Sequence, residues 1–166
     1  MKILGIDPGL QRTGYGIIDA NGPESMKLIE AGIIKTSAED GISKRVTDIY
    51  ENLTDIIKEN KPDVLVLEKL YAHYKHPATS ILMGHARGVI CLACGSNNVR
   101  LINYSATRIK KAVTGNGRAG KGQVQGMVRS LLGLKKDPDP VDISDALAMA
   151  ISYVYIEGTG DKRGVK

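Results

Sequence analysis

Four acidic residues stand where a carboxylate is costly unless it has a task. Asp7 closes the apolar run Ile3-Leu4-Gly5-Ile6 just before Pro8-Gly9, and Glu68 closes Val64-Leu65-Val66-Leu67. Asp142 and Asp145 open the last apolar segment, three residues apart and therefore on one face if that segment is helical. Each has a local role open to it. Asp7 can begin an Asx turn with Pro-Gly, and acids in a first helical turn gain ~0.3–1 kcal/mol from the helix dipole when exposed. A carboxylate at the end of a buried strand, however, must be paired, hydrogen-bonded or bound to a cation. Four converging carboxylates would repel and shift one another's pKa values unless divalent ions sat among them. Oxygen-only ligation points to Mg²⁺, with Mn²⁺ as a substitute, rather than to zinc. Two such ions ~4 Å apart would activate a water, orient a phosphate and stabilise a leaving 3′ oxygen.

Convergence makes demands on the fold. Lys2 to Asp7 reads as a short buried strand, Thr13 to Asp19 as a second and Lys27 to Thr36 as a third, joined closely enough to form an antiparallel meander. Residues 42–60 carry apolar positions at spacings of three and four (Ile42, Val46, Ile49, Leu53, Ile56, Ile57), which predicts an amphipathic helix with Ser43 as a possible cap and Asn60-Lys61-Pro62 as its stop. Asp63 to Glu68 is apolar enough for a central strand buried on both sides. After an aromatic and basic loop (69–76), a helix is expected from Pro77 to about Gly95, a fifth strand over Val99 to Tyr104, and a short helix capped by Ser105 and ending at Val113. The Gly-rich basic loop Gly115 to Gly122 leads to a helix over Gln123 to Leu132, and the last helix runs from Val141 to Ile156. The acids meet if strands one and four lie side by side with the last helix across them. Residues 1–157 then form one domain, followed by a polar, basic tail over 158–166 that is expected to be mobile.

Composition is compatible with this. A chain of 166 residues, 42% apolar and 25% charged, can bury roughly two thirds of its unfolded surface as one globular domain. Phe and Trp are absent, so aliphatics, Met and Tyr must build the core. The net charge of +5 favours a polyanionic partner. Cys91 and Cys94 lack a second ligand pair, and His73, His76 and His85 are not spaced to supply one. Buried thiols packing in a reducing compartment are expected instead. No apolar run approaches the ~18 residues of a membrane span and no leader opens the chain, so a cytoplasmic protein is expected.

Gly5-Ile6-Asp7-Pro8-Gly9 with Thr13-Gly14-Tyr15-Gly16, the strand ending in Glu68, Gly84-His85-Ala86-Arg87-Gly88-Val89 and Asp142-x-x-Asp145-Ala146-Leu147-Ala148 together resemble the RuvC family of crossover junction endodeoxyribonucleases. The similarity runs from residue 2 to about 156 and includes Lys121-x-Gln123-Val124-Gln125-x-Met127-Val128. It implies an α/β, RNase H-like fold with a five-stranded mixed sheet flanked by helices, and Mg²⁺-dependent cleavage of paired strands at a four-way DNA junction. A homodimer and partnership with the RuvA and RuvB branch-migration proteins are also implied. By the same resemblance Asp7, Glu68, Asp142 and Asp145 bind two metal ions, Lys110 and Lys121 contact DNA, and Tyr71 stacks on junction bases. The basic loop adds Arg118 to the DNA-binding set. Lys69, His85 and Gly120 depart from residues common in the family and touch only details of junction contact. An RNase H-fold nuclease acting on structured RNA is the alternative. An actin-like ATPase would need two such halves, and 166 residues hold one. The helix at 77–95 is apolar around much of its circumference (Ile81, Leu82, Met83, Val89, Ile90, Leu92), which makes it the expected dimer interface.

Overall fold

A five-stranded sheet carries the molecule, in the order β3-β2-β1-β4-β5. The computed structural model describes residues 1–69 and 77–158. Strands β1 (Lys2–Asp7), β2 (Arg12–Ala20) and β3 (Met26–Lys35) form the expected antiparallel meander. β4 (Val64–Glu68) pairs parallel to β1, and β5 (Arg100–Tyr104) pairs parallel to β4. Strands one and four are thus neighbours at the sheet centre, with Ile6 opposite Leu67.

Strand alternation sorts the core into two layers. Leu4, Ile6, Leu65 and Leu67 pack on one face against α1 (Ile42–Asn60) and α2 (Pro77–Ser96). Ile3, Val64 and Val66 pack on the other, against α3 (Ala106–Thr114), α4 (Lys121–Leu131) and α5 (Val141–Glu157). The same period of two sends Asp7 and Glu68 to the α5 face. There α5 crosses β1 and β2 over a bed of glycines. A Cβ on Gly5 would lie 1.9 Å from the Ala146 carbonyl oxygen, one on Gly14 would lie 2.3 Å from that of Asp142, and one on Gly16 would lie 2.4 Å from Leu147 Cδ2. Gly5 and Gly16 are paired across the strands, so the bed is continuous.

Three expectations at helix ends and along α2 need correction. Ser43 does not cap α1: the extended residue before the helix is Gly41, which places Ser43 inside the first turn. α4 begins at Lys121 rather than Gln123, because the Gln123 side chain folds back and its Oε1 accepts the Gly120 N–H at 2.9 Å. Lys121 therefore belongs to a first helical turn and not to a loop. The stretch Ala78–Ser96 is, against the sequence reading, long and apolar enough by length and composition to cross a membrane. Ala86, Ile90, Ala93 and Cys94 nevertheless bury one side of it in the core.

Other boundaries follow their local chemistry. Ser105 Oγ accepts the Arg108 N–H at 3.3 Å at the start of α3. Lys61, left-handed with φ 50°, ends α1 just before Pro62. Both cysteines are free thiols. Cys94 is buried, and burial pushes its thiol up to about 12, whereas Cys91 is half-buried.

Candidate active site

Asp7, Glu68 and Asp145 line one cavity of about 260 Å³ together with Lys110 and Lys121. The fold brings each there for a stated reason. Asp7 and Glu68 are the last residues of adjacent parallel strands and share the α5 face by alternation. Asp145 sits one turn into α5, just before Ala146, whose backbone rests on Gly5. Lys110 comes from α3 and Lys121 from the first residue of α4, which line the cavity also with Ile109 and Val124. The turn after Asp7 is fixed by Thr13, a buried residue whose hydroxyl donates to the Gly9 carbonyl at 2.7 Å.

Asp142 is placed differently from the other acids. It does not line the cavity, and its Oδ2 is engaged by Arg12 Nη2 at 2.8 Å. Its charge nevertheless reaches both Asp7 and Asp145. Arg12 escaped the sequence reading, although a signal for it existed. It opens β2 two residues before Gly14, the cross-strand partner of Asp7, so alternation puts it on the α5 face, beside Asp142.

The electrostatics are those of crowded acids. Asp7 is pushed from 3.8 up to about 7, first by burial, then by Asp145, Asp142 and Glu68, with Lys121 opposing. Glu68 is raised by burial and then by Asp145, against Lys110. Asp145 is raised by burial, with Lys121 opposing, Asp142 adding to the rise and Lys110 opposing again. Hard oxygen donors with convergent negative charge suit Mg²⁺ or Mn²⁺. Among the described residues no three acidic, histidine or cysteine side chains enclose an ion by themselves. The fit rests on donor type and convergence.

This crowding predicts how stability depends on pH without metal. Between pH 3.8 and about 7 the unfolded chain has released the Asp7 proton that the folded chain keeps, so folding stability falls as pH rises through that window. Asp7 alone sets a ceiling of roughly 4 kcal/mol on the loss, and Glu68 and Asp145 act in the same direction. In chelator, urea unfolding is expected to show lower midpoints at pH 7.5 than at pH 5, with Asp7→Asn removing much of the slope. Added Mg²⁺ should restore most stability at the higher pH. A flat profile in chelator would contradict the convergence of these acids.

The remaining candidates are distributed unevenly. Arg118 is exposed on the segment between α3 and α4, outside the cavity, and its N–H is bonded to Asn116 Oδ1 at 2.9 Å. Tyr71 lies outside the described residues. On α2, Ile81 (61% exposed), Leu82 (45%), Met83 (37%) and Leu92 (59%) are exposed, with Ile81 and Leu92 on one side of the helix and Leu82 and Met83 turned successively away from it. Ile90, which the sequence reading counted among the interface residues, is fully buried, and Val89 is half-buried. Arg87 is a second residue that the sequence reading missed as an individual. It reaches from α2 to the end of β4 and donates to the Glu68 carbonyl at 2.6 Å.

Comparison with known proteins identifies the family. The family model for crossover junction endodeoxyribonuclease RuvC matches residues 3–153. The crossover junction endodeoxyribonuclease RuvC of Rhodopirellula baltica is 46% identical over 154 residues, covering 93% of this chain and 86% of that protein. Its counterpart in Petrotoga mobilis is 47% identical over 153 residues, covering 92% and 93%. Among solved structures, Thermus thermophilus RuvC in complex with a Holliday junction substrate superposes with a TM-score of 0.89 at 29% identity, covering 95% of this chain and 94% of that one.

Proposed function

The chain belongs to the RuvC family of crossover junction endodeoxyribonucleases, and from that premise we propose how its own residues carry out the reaction. The protein is a Holliday junction resolvase, a hydrolase of DNA phosphodiester bonds in recombination and repair, on an RNase H-like fold. Family membership implies Mg²⁺-dependent catalysis. Asp7, Glu68, Asp142 and Asp145 would hold two Mg²⁺ ions, with Mn²⁺ as a substitute. The observation that carries this reading is the convergence of Asp7, Glu68 and Asp145 on one cavity that Lys110 and Lys121 also line.

Bound Mg²⁺ would supply the positive charge that activates a water and stabilises the leaving oxygen. The chain's residues do the rest. The carboxylates orient the site from three rigid elements. Lys110 and Lys121 face those acids, offset part of their charge and give the incoming phosphate a cationic wall. Lys121 in the first turn of α4 adds its ammonium to the positive helix end. Arg12 holds Asp142. Arg118 contacts the DNA backbone beyond the cavity, and Tyr71 stacks on junction bases.

One such site nicks one strand, whereas resolution needs two strands of like polarity cut symmetrically. A homodimer through the exposed apolar residues of α2 supplies two sites about a two-fold axis. The exposed apolar side chains of α2, with Ile81 and Leu92 on a common side of the helix, support that interface. Residues 1–157 act as the nuclease domain and 158–166 as a basic tail. RuvA and RuvB are its branch-migration partners, and the free thiols suit a reducing cytoplasm.

The test is cleavage of a four-way junction labelled on each strand in turn, with structured RNA as competitor substrate and sedimentation of the protein alone. Paired nicks at symmetric positions, ends sealed directly by ligase and a dimeric mass are expected. A stable monomer, cuts confined to one strand or a preference for RNA would overturn the proposal.

A further inference from the structure

We propose that Arg87 is a positioning residue for Glu68, clamping the end of β4 from the sheet face opposite the active site. The inference rests on the reading of Glu68 as a metal-holding carboxylate. Arg87 stands on α2 between the buried residues Ala86 and Ile90. Its Nη1 donates to the Glu68 main-chain carbonyl at 2.6 Å, and its Nη2 donates to Asn103 Oδ1 on β5. One planar fork thus binds the last residue of β4 and its neighbour strand together.

Glu68 needs such a hold. It ends its strand, and beyond it, among the described residues, one further ladder contact is made, from the Lys69 N–H to the Tyr104 carbonyl at 2.7 Å. Its side chain lines the same cavity as that of Asp145, whose charge repels it. Without a fixed main chain the carboxylate would relieve that repulsion by turning away from the cavity. A guanidinium suits this task because its donors are rigidly spaced and can bond two acceptors at once. An ammonium is a point charge and cannot reproduce that fork. Arg87 touches a carbonyl and an amide oxygen rather than the Glu68 carboxylate, so it acts on the site through the backbone.

The experiment measures Mn²⁺ binding to the full chain by calorimetry or by loss of the free-ion paramagnetic resonance signal, beside thermal unfolding and junction affinity in chelator. Arg87→Met keeps the aliphatic stem and removes the donors. Outer-shell partners of metal ligands are typically worth 10–100-fold in metal affinity, and a loss in that range is expected, with junction affinity in chelator held within about threefold. Cleavage should fall in parallel and recover in part at high Mn²⁺, which a purely structural defect would not allow. Arg87→Lys should recover a minor part of the affinity, and full recovery would overturn the fork. Should Arg87→Met fail to fold, Asn103→Ala carries the test, since it removes one acceptor from an otherwise intact clamp. Weaker Mn²⁺ binding is expected there, and unchanged binding overturns the proposal. Asp7→Asn separates the two levels. Mn²⁺ binding that survives Asp7→Asn overturns the reading of the acids and this inference with it. Binding lost in Asp7→Asn but unchanged in folded Arg87→Met overturns the role of Arg87 alone.

Discussion

Asp7→Asn and Glu68→Gln are each expected to lower junction cleavage on the order of a thousandfold or more while leaving junction affinity nearly intact. Both residues line the cavity, and each swap keeps the side chain's shape while removing one negative charge. Loss of a ligand that holds the metal forfeits several kcal/mol of charge stabilisation, and about 4 kcal/mol corresponds to a thousandfold in rate. Binding should follow a different rule. DNA affinity is dominated by phosphate neutralisation, so deleting a carboxylate from a cavity that already holds Lys110 and Lys121 leaves a more favourable site for a polyanion. Single-turnover cleavage in Mg²⁺ and affinity measured in chelator would separate the two effects. Near-normal cleavage by either variant, or a parallel collapse of affinity, would contradict the assignment of these acids.

Gly5→Ala is expected to be the most damaging single methyl in the chain, costing on the order of 3 kcal/mol or more, at the upper end of overpacking penalties. The added Cβ would lie 1.9 Å from the Ala146 carbonyl oxygen and 2.8 Å from the Ala150 N. Both are main-chain atoms of a helix, so no side-chain rotation relieves the clash and α5 must lift from the sheet. Lifting α5 also carries Asp145 away from Asp7, so cleavage should fall beyond what lost stability explains. Gly126→Ala is the control. It lies inside α4 with nothing within 4 Å of the position that a Cβ would take, and replacing a helical glycine should stabilise by roughly 0.5–1 kcal/mol. Denaturant unfolding of both variants checks the contrast. Equal effects would show that the glycine bed under α5 does not set the helix height.

Local pattern makes much of the site legible in the sequence. Apolar runs that end in Asp7 and Glu68 identify buried strands with an acid at the end, and alternation puts each acid on one definite face. The spacing of Asp142 and Asp145 identifies one face of a helix. Such features depend on residues within a few positions of one another, which is the range over which sequence periodicity carries information. The pairing of β1 with β4, by contrast, joins residues about sixty positions apart. The order of acids along the chain made that pairing attractive, but the ladder itself exists only in the folded sheet.

What tertiary structure alone decided is found where distant elements touch. Gly5, Gly14 and Gly16 read as small residues in strands, and only the crossing of α5 shows them to be the floor on which a helix rests. Ile90 and Leu92 are indistinguishable by hydropathy, yet the sheet buries the first and leaves the second exposed. Arg12 and Arg87 look like ordinary surface cations in the sequence. Their roles depend on partners 130 and 19 positions away, Asp142 and the Glu68 carbonyl, and on the direction each side chain takes from its element. Alternation can assign Arg12 to a face of its strand, but no periodicity names the partner of a long-range ion pair or of a side-chain bond to backbone, because a single contact between two elements fixes it. The four acids were therefore readable from the chain, whereas the residues that hold two of them in place became visible only in the fold.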